Sequence, residues 1–188
     1  MLDYTLLGLL RYAPMTGYDL KQIMDQSTSN FWYAKQSQIY TTLKRMEQKG
    51  WVRSEVEEQT GRPDRRVYHL QAAGEESLQA WLGQSVTEVE RRKEGMLVRL
   101  FFGASLSRQE LLDQLDRLRE LHQIELQRYR SETKDVIREY ARALSKEAQD
   151  GVLWDATRRF GVLYEEMVLS WIDETSARIK EEYEDESE

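Results

Sequence analysis

The 188-residue sequence contains no cysteine, only two prolines, and no long hydrophobic run. Without cysteine the chain has no disulfide framework, no thiolate metal site and no cysteine nucleophile. Its longest nearly uninterrupted apolar runs, 4–10 and 96–104, are far shorter than the roughly 20 residues that cross a bilayer. No basic and apolar leader opens the sequence, so we expect a cytoplasmic protein without a membrane partner.

Charge of both signs is abundant, but it is unevenly distributed. The chain holds 27 Lys and Arg against 34 Asp and Glu, a formal net charge of −7. The first 83 residues contain ten of each sign, so the whole acidic excess lies beyond them. This contrast, together with the long helical patterns that follow, predicts two domains, 1–84 and 85–188, the second ending in an acidic, solvated tail.

Two short helices are predicted at the start of the chain. Asp3 is an N-cap candidate for a helix over residues 4–12, which ends before Pro14. Thr16 opens the second helix, and Asp19 stands where the partner of a capping box is expected.

A third helix is predicted over residues 37–49, and its two faces differ in chemistry. The inward face carries Ile39, Leu43 and Met46. The outward face, with the residue just before the helix, consists of Lys35, Ser37, Gln38, Tyr40, Thr41, Lys44 and Arg45. Gln and Ser can contact base edges in a DNA major groove, whereas Lys and Arg neutralise phosphates. Tyr40 is open to two interpretations, because its ring can pack beside the core while its hydroxyl reaches a phosphate.

A β-hairpin is predicted next, with strands at 51–58 and 66–70, and a fourth helix follows at 72–82. Helix, helix, helix, strand, turn, strand is the order of a winged helix-turn-helix, so the predicted fold is mainly α with a two-stranded wing. The wing carries Arg62, Arg65 and Arg66, which can lie along the minor groove or its phosphates. Residues 35–66 hold eight basic and five acidic side chains, so the sign of the charge reverses locally.

The first domain also contains a series of short motifs in a characteristic order: Leu7-Gly8-Leu9-Leu10, Pro14, Gly17-Tyr18-Asp19-Leu20, Phe31-Trp32, Gln38-Ile39-Tyr40, Leu43-Lys44-Arg45-Met46-Glu47, Gly50-Trp51-Val52, Gly61-Arg62-Pro63, Arg66-Val67-Tyr68, Gly74 and Trp81. In this order and spacing the first domain resembles the PadR family of bacterial transcriptional regulators. The resemblance implies a winged-helix DNA-binding domain, a C-terminal helical dimerisation domain, and repression relieved by a small, often aromatic, effector. In length, the chain resembles members of the subgroup with a long C-terminal domain, which is typified by regulators of phenolic acid metabolism.

Two departures from the family pattern stand in this domain. Gln71 occupies a place where family members generally have Thr, and Gln is a poor N-cap for the fourth helix. Asp64 in the wing, and the three glutamates that precede it, partly offset the attraction of the wing for phosphates.

The second domain is predicted to contain two long amphipathic helices. Ser107 and Glu110 form a capping box that opens an unbroken helical pattern within 104–150, and Gly151 marks its end. A second helix continues to about Ile179. At 1.5 Å per residue these helices measure about 60 and 45 Å, too long to bury their apolar stripes against a small module. A second copy of the chain is the natural cover, so we expect a homodimer.

Aromatic side chains suggest where a small aromatic effector could bind. Trp32 and Tyr33 lie before the third helix, and Trp154 and Tyr164 lie on the last one. A cleft lined by these four rings suits a planar phenolic ligand, although aromatics at helical spacing are also typical of ordinary cores.

Other function classes find less support in the sequence. The only two histidines, His69 and His122, have no metal-ligand spacing, and no nucleophile elbow or phosphate-binding glycine loop occurs. We therefore expect no enzyme, no cofactor and no metal. The alternative that remains open is a helical adaptor whose winged module binds a protein partner instead of DNA.

Overall fold

A computed structural model describes residues 1–28, 31–58, 61, 64–88, 94–143 and 149–183. Its elements in chain order are α1 (Leu2–Tyr12), β1 (Met15–Thr16), α2 (Gly17–Ser27), α3 (Gln36–Gln48), β2 (Val52–Glu57), β3 (Arg65–Leu70), α4 (Ala72–Leu82), α5 (Gly95–Phe101), a 3₁₀ turn (Gly103–Ser105), α6 (Arg108–Arg130), α7 (Glu132–Ala143) and α8 (Asp150–Glu182).

The chain divides into two compact units. Unit 1 comprises Met1–Val86 and Asp135–Trp154, and unit 2 comprises Thr87–Lys134 and Asp155–Glu188. The sequence marks a single boundary near residue 84, whereas the chain returns to unit 1 over residues 135–154. Long-range hydrogen bonds accompany this return, because the Tyr12 hydroxyl donates to Asp150 at 3.2 Å and the Tyr140 hydroxyl to Gln26 at 2.9 Å.

The first two helices begin as local hydrogen bonding dictates. The capping box of α2 is confirmed: Thr16 Oγ1 accepts from the Asp19 backbone N–H, and Asp19 accepts from the Thr16 N–H at 3.0 Å. The predicted cap of α1 is wrong, because the helix begins two residues earlier, at Leu2. Asp3 therefore lies in the first turn, where its carboxylate accepts from the terminal ammonium of Met1 and from the Tyr4 N–H.

The wing is an antiparallel hairpin of β2 and β3, as predicted, but the sheet contains a third strand. Its order is β1-β3-β2, with Met15 opposite Tyr68 and Thr16 opposite Val67. Because β1 has only two residues, the sequence shows no alternation of apolar and polar residues from which this strand could be predicted. The fourth helix has the predicted bounds, and Gln71 does not cap it, because its side-chain amide donates to the Leu70 carbonyl.

Unit 1 has one continuous apolar core contributed by α1, α2, α3, α4 and the sheet. Leu6, Leu7, Leu20, Ile39, Leu43 and Met46 are fully buried in it. The three inward residues predicted for α3 are among them, so the orientation of that helix follows from its apolar period.

The helices of the predicted second domain, 85–188, differ from the prediction in three places. The single unbroken helix is wrong, because α6 ends at Arg130, where Ser131 takes ψ −83° and its hydroxyl donates to the Gln127 carbonyl. Gly151 does not stop a helix but lies in the first turn of α8, and α5 was not predicted. The Ser107–Glu110 capping box is confirmed. None of the described helices has both the length and the apolar character to span a bilayer.

Candidate nucleic-acid interface

The outward face of α3 is open to solvent along its whole length. Lys35, Ser37, Gln38, Tyr40, Thr41, Lys44 and Arg45 are all exposed, whereas Ile39, Thr42, Leu43 and Met46 on the opposite side are buried. The 3.6-residue period separates the two sets, so the side chains that could contact DNA make no part of the core. Short polar groups stand in the first turns and cations in the later ones.

The start of α3 is fixed by its own side chains. Gln38 Oε1 accepts a hydrogen bond from the Lys35 backbone N–H at 2.8 Å, and Thr41 Oγ1 donates to the Ser37 carbonyl at 2.9 Å. The Lys35 side chain has no hydrogen-bond acceptor, so it cannot accept from the Gln38 backbone N–H in return. Gln38 alone therefore supplies the side-chain cap.

Tyr40 packs against a glycine, and the sequence analysis did not predict this contact. Its ring lies on Gly17 at the start of α2, where an added Cβ would stand 2.5 Å from Cε1 and 2.8 Å from Cζ. The ring remains 42% exposed. Packing of the ring therefore agrees with part of the interpretation of Tyr40, and contact of its hydroxyl with a phosphate stays a prediction.

Two acidic residues near the interface pair with its cations. Arg45 lies 3.7 Å from Asp3, and Arg65 Nη2 donates to Asp19 at 3.3 Å. All four side chains keep part of their surface in water, so such pairs hold the guanidinium groups in place at small net energy. Asp19 thus serves both the cap of α2 and the wing, which its position in the sequence does not indicate.

On the wing, Arg65 and Arg66 are exposed at the start of β3, opposite Glu57 and Val56. Arg62 lies outside the described residues. Burial raises the pKa of the Tyr68 hydroxyl, and the neighbouring Arg66 opposes that shift. Of the glutamates expected to weaken the wing, Glu55 pairs with Arg53 and lies 3.4 Å from His69, so part of its charge is compensated.

Two hydrogen bonds join α3 to the wing. Glu47 Oε1 accepts from the Ser54 backbone N–H at 3.0 Å and from the Ser54 hydroxyl at 2.6 Å. Sequence reasoning missed this pair. The available signal was a carboxylate in the last turn of a helix, where the macrodipole disfavours it and a compensating partner is expected.

The four aromatic residues predicted for an effector occupy different surroundings. In unit 1, Trp32 packs against the core, Tyr33 is exposed with Lys21 Nζ 5.1 Å from its ring centre, and Trp154 meets Tyr12 edge to face at 5.4 Å. Tyr164 belongs to unit 2 and its hydroxyl donates to Glu94 at 2.7 Å. Their role as a binding site stays a prediction.

Unit 1 also contains an open cavity of about 480 Å³. Its wall includes apolar Leu10, Pro14 and Leu70 and polar Tyr12, His69 and Gln71. Tyr12 is the residue that touches Trp154, so one predicted ring is a neighbour of this cavity wall.

In unit 2, a polar pair of half-buried His122 and buried Glu165 links α6 and α8. His122 Nδ1 hydrogen-bonds to Glu165, whose side chain is buried. Burial raises the pKa of the Glu165 carboxyl, and the contact with His122 opposes the shift. Within the described part of the chain, no group of three or more His, Asp or Glu side chains is arranged to hold a metal ion.

Comparison with known proteins gives matches along nearly the whole chain. Residues 6–80 match the model of the transcriptional regulator PadR-like family, and residues 92–180 match the model described as virulence activator alpha C-term. The chain is 33% identical over 113 residues to the Negative transcriptional regulator PadR of Bacillus subtilis, covering 60% of this chain and 62% of that protein. The sequence alignment thus spans less than two thirds of the relative.

Solved structures match over a longer stretch. The crystal structure of Bacillus subtilis PadR in complex with operator DNA has a TM-score of 0.76 at 26% identity, covering 95% of this chain and 98% of that one. The crystal structure of Bacillus subtilis PadR in complex with p-coumaric acid has a TM-score of 0.70 at 26% identity, covering 96% and 99%.

Proposed function

Since the chain belongs to the transcriptional regulator PadR-like family, we propose that it binds a pseudo-palindromic operator in double-stranded DNA as a homodimer. It acts as a regulator and not as an enzyme, in the cytoplasm where a bacterial chromosome lies. The carrying observation is that the outer face of α3 and the two arginines at the start of β3 are all exposed in the same unit.

The chemistry of this face suits a duplex. The first turns of a recognition helix contact base edges in the major groove, and here they present Ser37, Gln38 and Thr41. Lys35, Lys44 and Arg45 can contact phosphates. The hydroxyl of Tyr40 can also reach a phosphate while its ring stays on Gly17. Arg65 and Arg66, with Arg62, supply the wing.

Unit 2 supports the homodimer. Nine large apolar side chains among its described residues are about half or more exposed: Leu97, Val98, Phe101, Phe102, Leu121, Ile124, Phe160, Leu163 and Met167. Within α6 and α8 some of them are three or four residues apart, as in Phe160, Leu163 and Met167, and therefore share one helix face. Exposed apolar faces are typical of protein interfaces, and a second copy carries the same faces. Two DNA-binding modules related by a two-fold axis can engage half-sites about 34 to 36 Å apart.

Repression relieved by a small phenolic compound is the regulatory outcome that the relatives favour. The aligned Bacillus subtilis protein is a negative regulator, and its structure is known with p-coumaric acid. Trp32, Tyr33, Trp154 and Tyr164 remain the candidate effector residues. We expect p-coumarate to release the protein from its operator and to change its tryptophan fluorescence.

The central test measures binding to duplexes selected from a random library, with fluorescence anisotropy at 50 to 200 mM salt. Arg65→Glu/Arg66→Glu should lower the affinity at least about tenfold and make the salt dependence shallower, by about 0.9 in log–log slope per lost phosphate contact. Arg117→Glu/Arg178→Glu is the matched control, because it changes two exposed arginines of unit 2 by the same charge.

Equal affinity of the wing variant and the wild type would contradict the proposed interface. Failure of the wild-type protein to enrich any duplex, with retained binding to a protein partner, would favour the adaptor alternative.

A further inference from the structure

We infer that Gln38 reads a hydrogen-bond acceptor on a base edge, the N7 or O6 atom of guanine or the O4 atom of thymine, and does not form the two-point contact with adenine. The inference rests on the proposed DNA-binding function. It assigns a direction of hydrogen bonding to one side chain of the interface, and therefore a base preference to one position of each half-site.

The orientation of the Gln38 amide follows from its partner. The Lys35 backbone N–H lies 2.8 Å from the amide and can only donate, so the atom that faces it must be the oxygen. The amide nitrogen, with two N–H donors, is then directed away from Lys35.

The helix holds the amide in this orientation. Lys35 is the N-cap residue of α3, and its side chain has no acceptor with which to replace the bond. Rotating the Gln38 oxygen outward would leave the Lys35 N–H without its side-chain partner at the start of the helix. By contrast, the hydroxyl of Thr41 can rotate away from the Ser37 carbonyl without affecting a cap, so it carries no fixed direction.

The consequence is a restricted set of base contacts. Recognition of adenine by glutamine uses the oxygen and the nitrogen together, the oxygen accepting from N6 and the nitrogen donating to N7. The oxygen is turned toward the Lys35 N–H, so an amide that presents both atoms to adenine would have to turn and give up that bond. Two donors alone suit bases that present acceptors in the major groove, and they repel the N4 amino group of cytosine.

Gln38→Glu separates the two roles of the residue. Glutamate is a standard partner at this position of a capping box, so the variant retains an acceptor for the Lys35 N–H and should keep the helix intact. It replaces the outward donors by a second acceptor. Gln48→Glu is the matched control, because it makes the same change on an exposed residue at the other end of α3.

The full-length wild type and both variants are each used to select duplexes from a randomised library, and circular dichroism compares their folds. For the wild type we expect guanine or thymine at one position of each half-site. For Gln38→Glu we expect cytosine at that position, with the preferences at the other positions unchanged. The affinity of this variant for the wild-type duplex should fall about tenfold or more. Gln48→Glu should retain the wild-type preference.

Modified bases test the same point in the wild-type protein, independently of any variant. If the position holds guanine, 7-deazaguanine should weaken binding; if it holds thymine, replacing O4 by hydrogen should do so. Adenine at that position, with weaker binding when its N6 amino group is removed, would overturn the inference. An unchanged preference in Gln38→Glu would also overturn it and would reduce Gln38 to a cap, while DNA binding itself would stand. If the wild type enriches no sequence, the proposed function and this inference both fail.

Discussion

The two units of this chain bury their apolar side chains to different degrees. In unit 1, a single cluster extends through α1, α2, α3, α4 and the sheet, and many of its members have no exposed surface. In unit 2, a small cluster of Leu126, Tyr129 and Val162 lies between helices, while Phe101 and Phe102 are 82% and 74% exposed. Unit 1 thus builds a large apolar core within one copy, whereas unit 2 builds a small one and leaves large side chains such as Phe101 and Phe102 in solvent.

This difference matches the functions proposed for the two units. A DNA-reading face needs a rigid scaffold, and α3 obtains it from the buried residues on its inner side. A dimerisation surface must remain uncovered until the partner arrives, at a cost in the stability of the isolated subunit.

Removing one buried side chain of α3 should strongly destabilise the protein. Leu43 is fully buried, so Leu43→Ala should lower the free energy of unfolding by about 2–5 kcal/mol, measured by urea denaturation followed by circular dichroism. Ile124→Ala, at a residue 63% exposed in unit 2, should change the stability of dilute protein by only about 0.5 kcal/mol. Sedimentation equilibrium should instead show weaker self-association for Ile124→Ala, and equal destabilisation by both changes would remove the contrast between the units.

A methyl group at position 17 should affect DNA binding more than stability. Gly17→Ala places a Cβ within 2.5 Å of the Tyr40 ring, and this partly exposed ring can swing aside at a cost of about 1 kcal/mol or less. Operator affinity should fall severalfold, because Tyr40 leaves the interface. Gly8→Ala is the control, since a Cβ there meets no atom within 4 Å. Wild-type affinity in Gly17→Ala would show that Tyr40 takes no part in binding.

The pH dependence of stability should depend on the His122–Glu165 pair in unit 2. Burial raises the pKa of Glu165 in the folded chain, so the folded state holds a proton that the unfolded state releases. The contribution of Glu165 to stability is therefore complete below its unfolded pKa of about 4.5 and is lost as pH rises through the higher folded value. Glu165→Gln should flatten this decline in thermal melts recorded between about pH 4 and 7. A decline of the same size in both proteins would assign it to other groups.

Much of unit 1 could be predicted from the sequence because its signals are local. The partners of the Thr16–Asp19 capping box are three residues apart, and the extent of α4 follows from the helical spacing of Leu78, Trp81 and Leu82. In unit 2 the same reasoning failed at Ser131. The sequence there shows neither proline nor glycine, yet a serine hydroxyl bonded to the preceding turn accompanies the end of α6.

Around the candidate interface, the sequence determined by itself which side chains face outward on α3, because a helical period of 3.6 residues follows from backbone geometry alone. The contacts that support these side chains come from other parts of the chain. The Tyr40 ring meets Gly17, Glu47 accepts from Ser54, and Arg65 reaches Asp19 across 46 residues of chain. Such contacts depend on the path of the whole chain, and a pattern read within a few residues carries no information about that path.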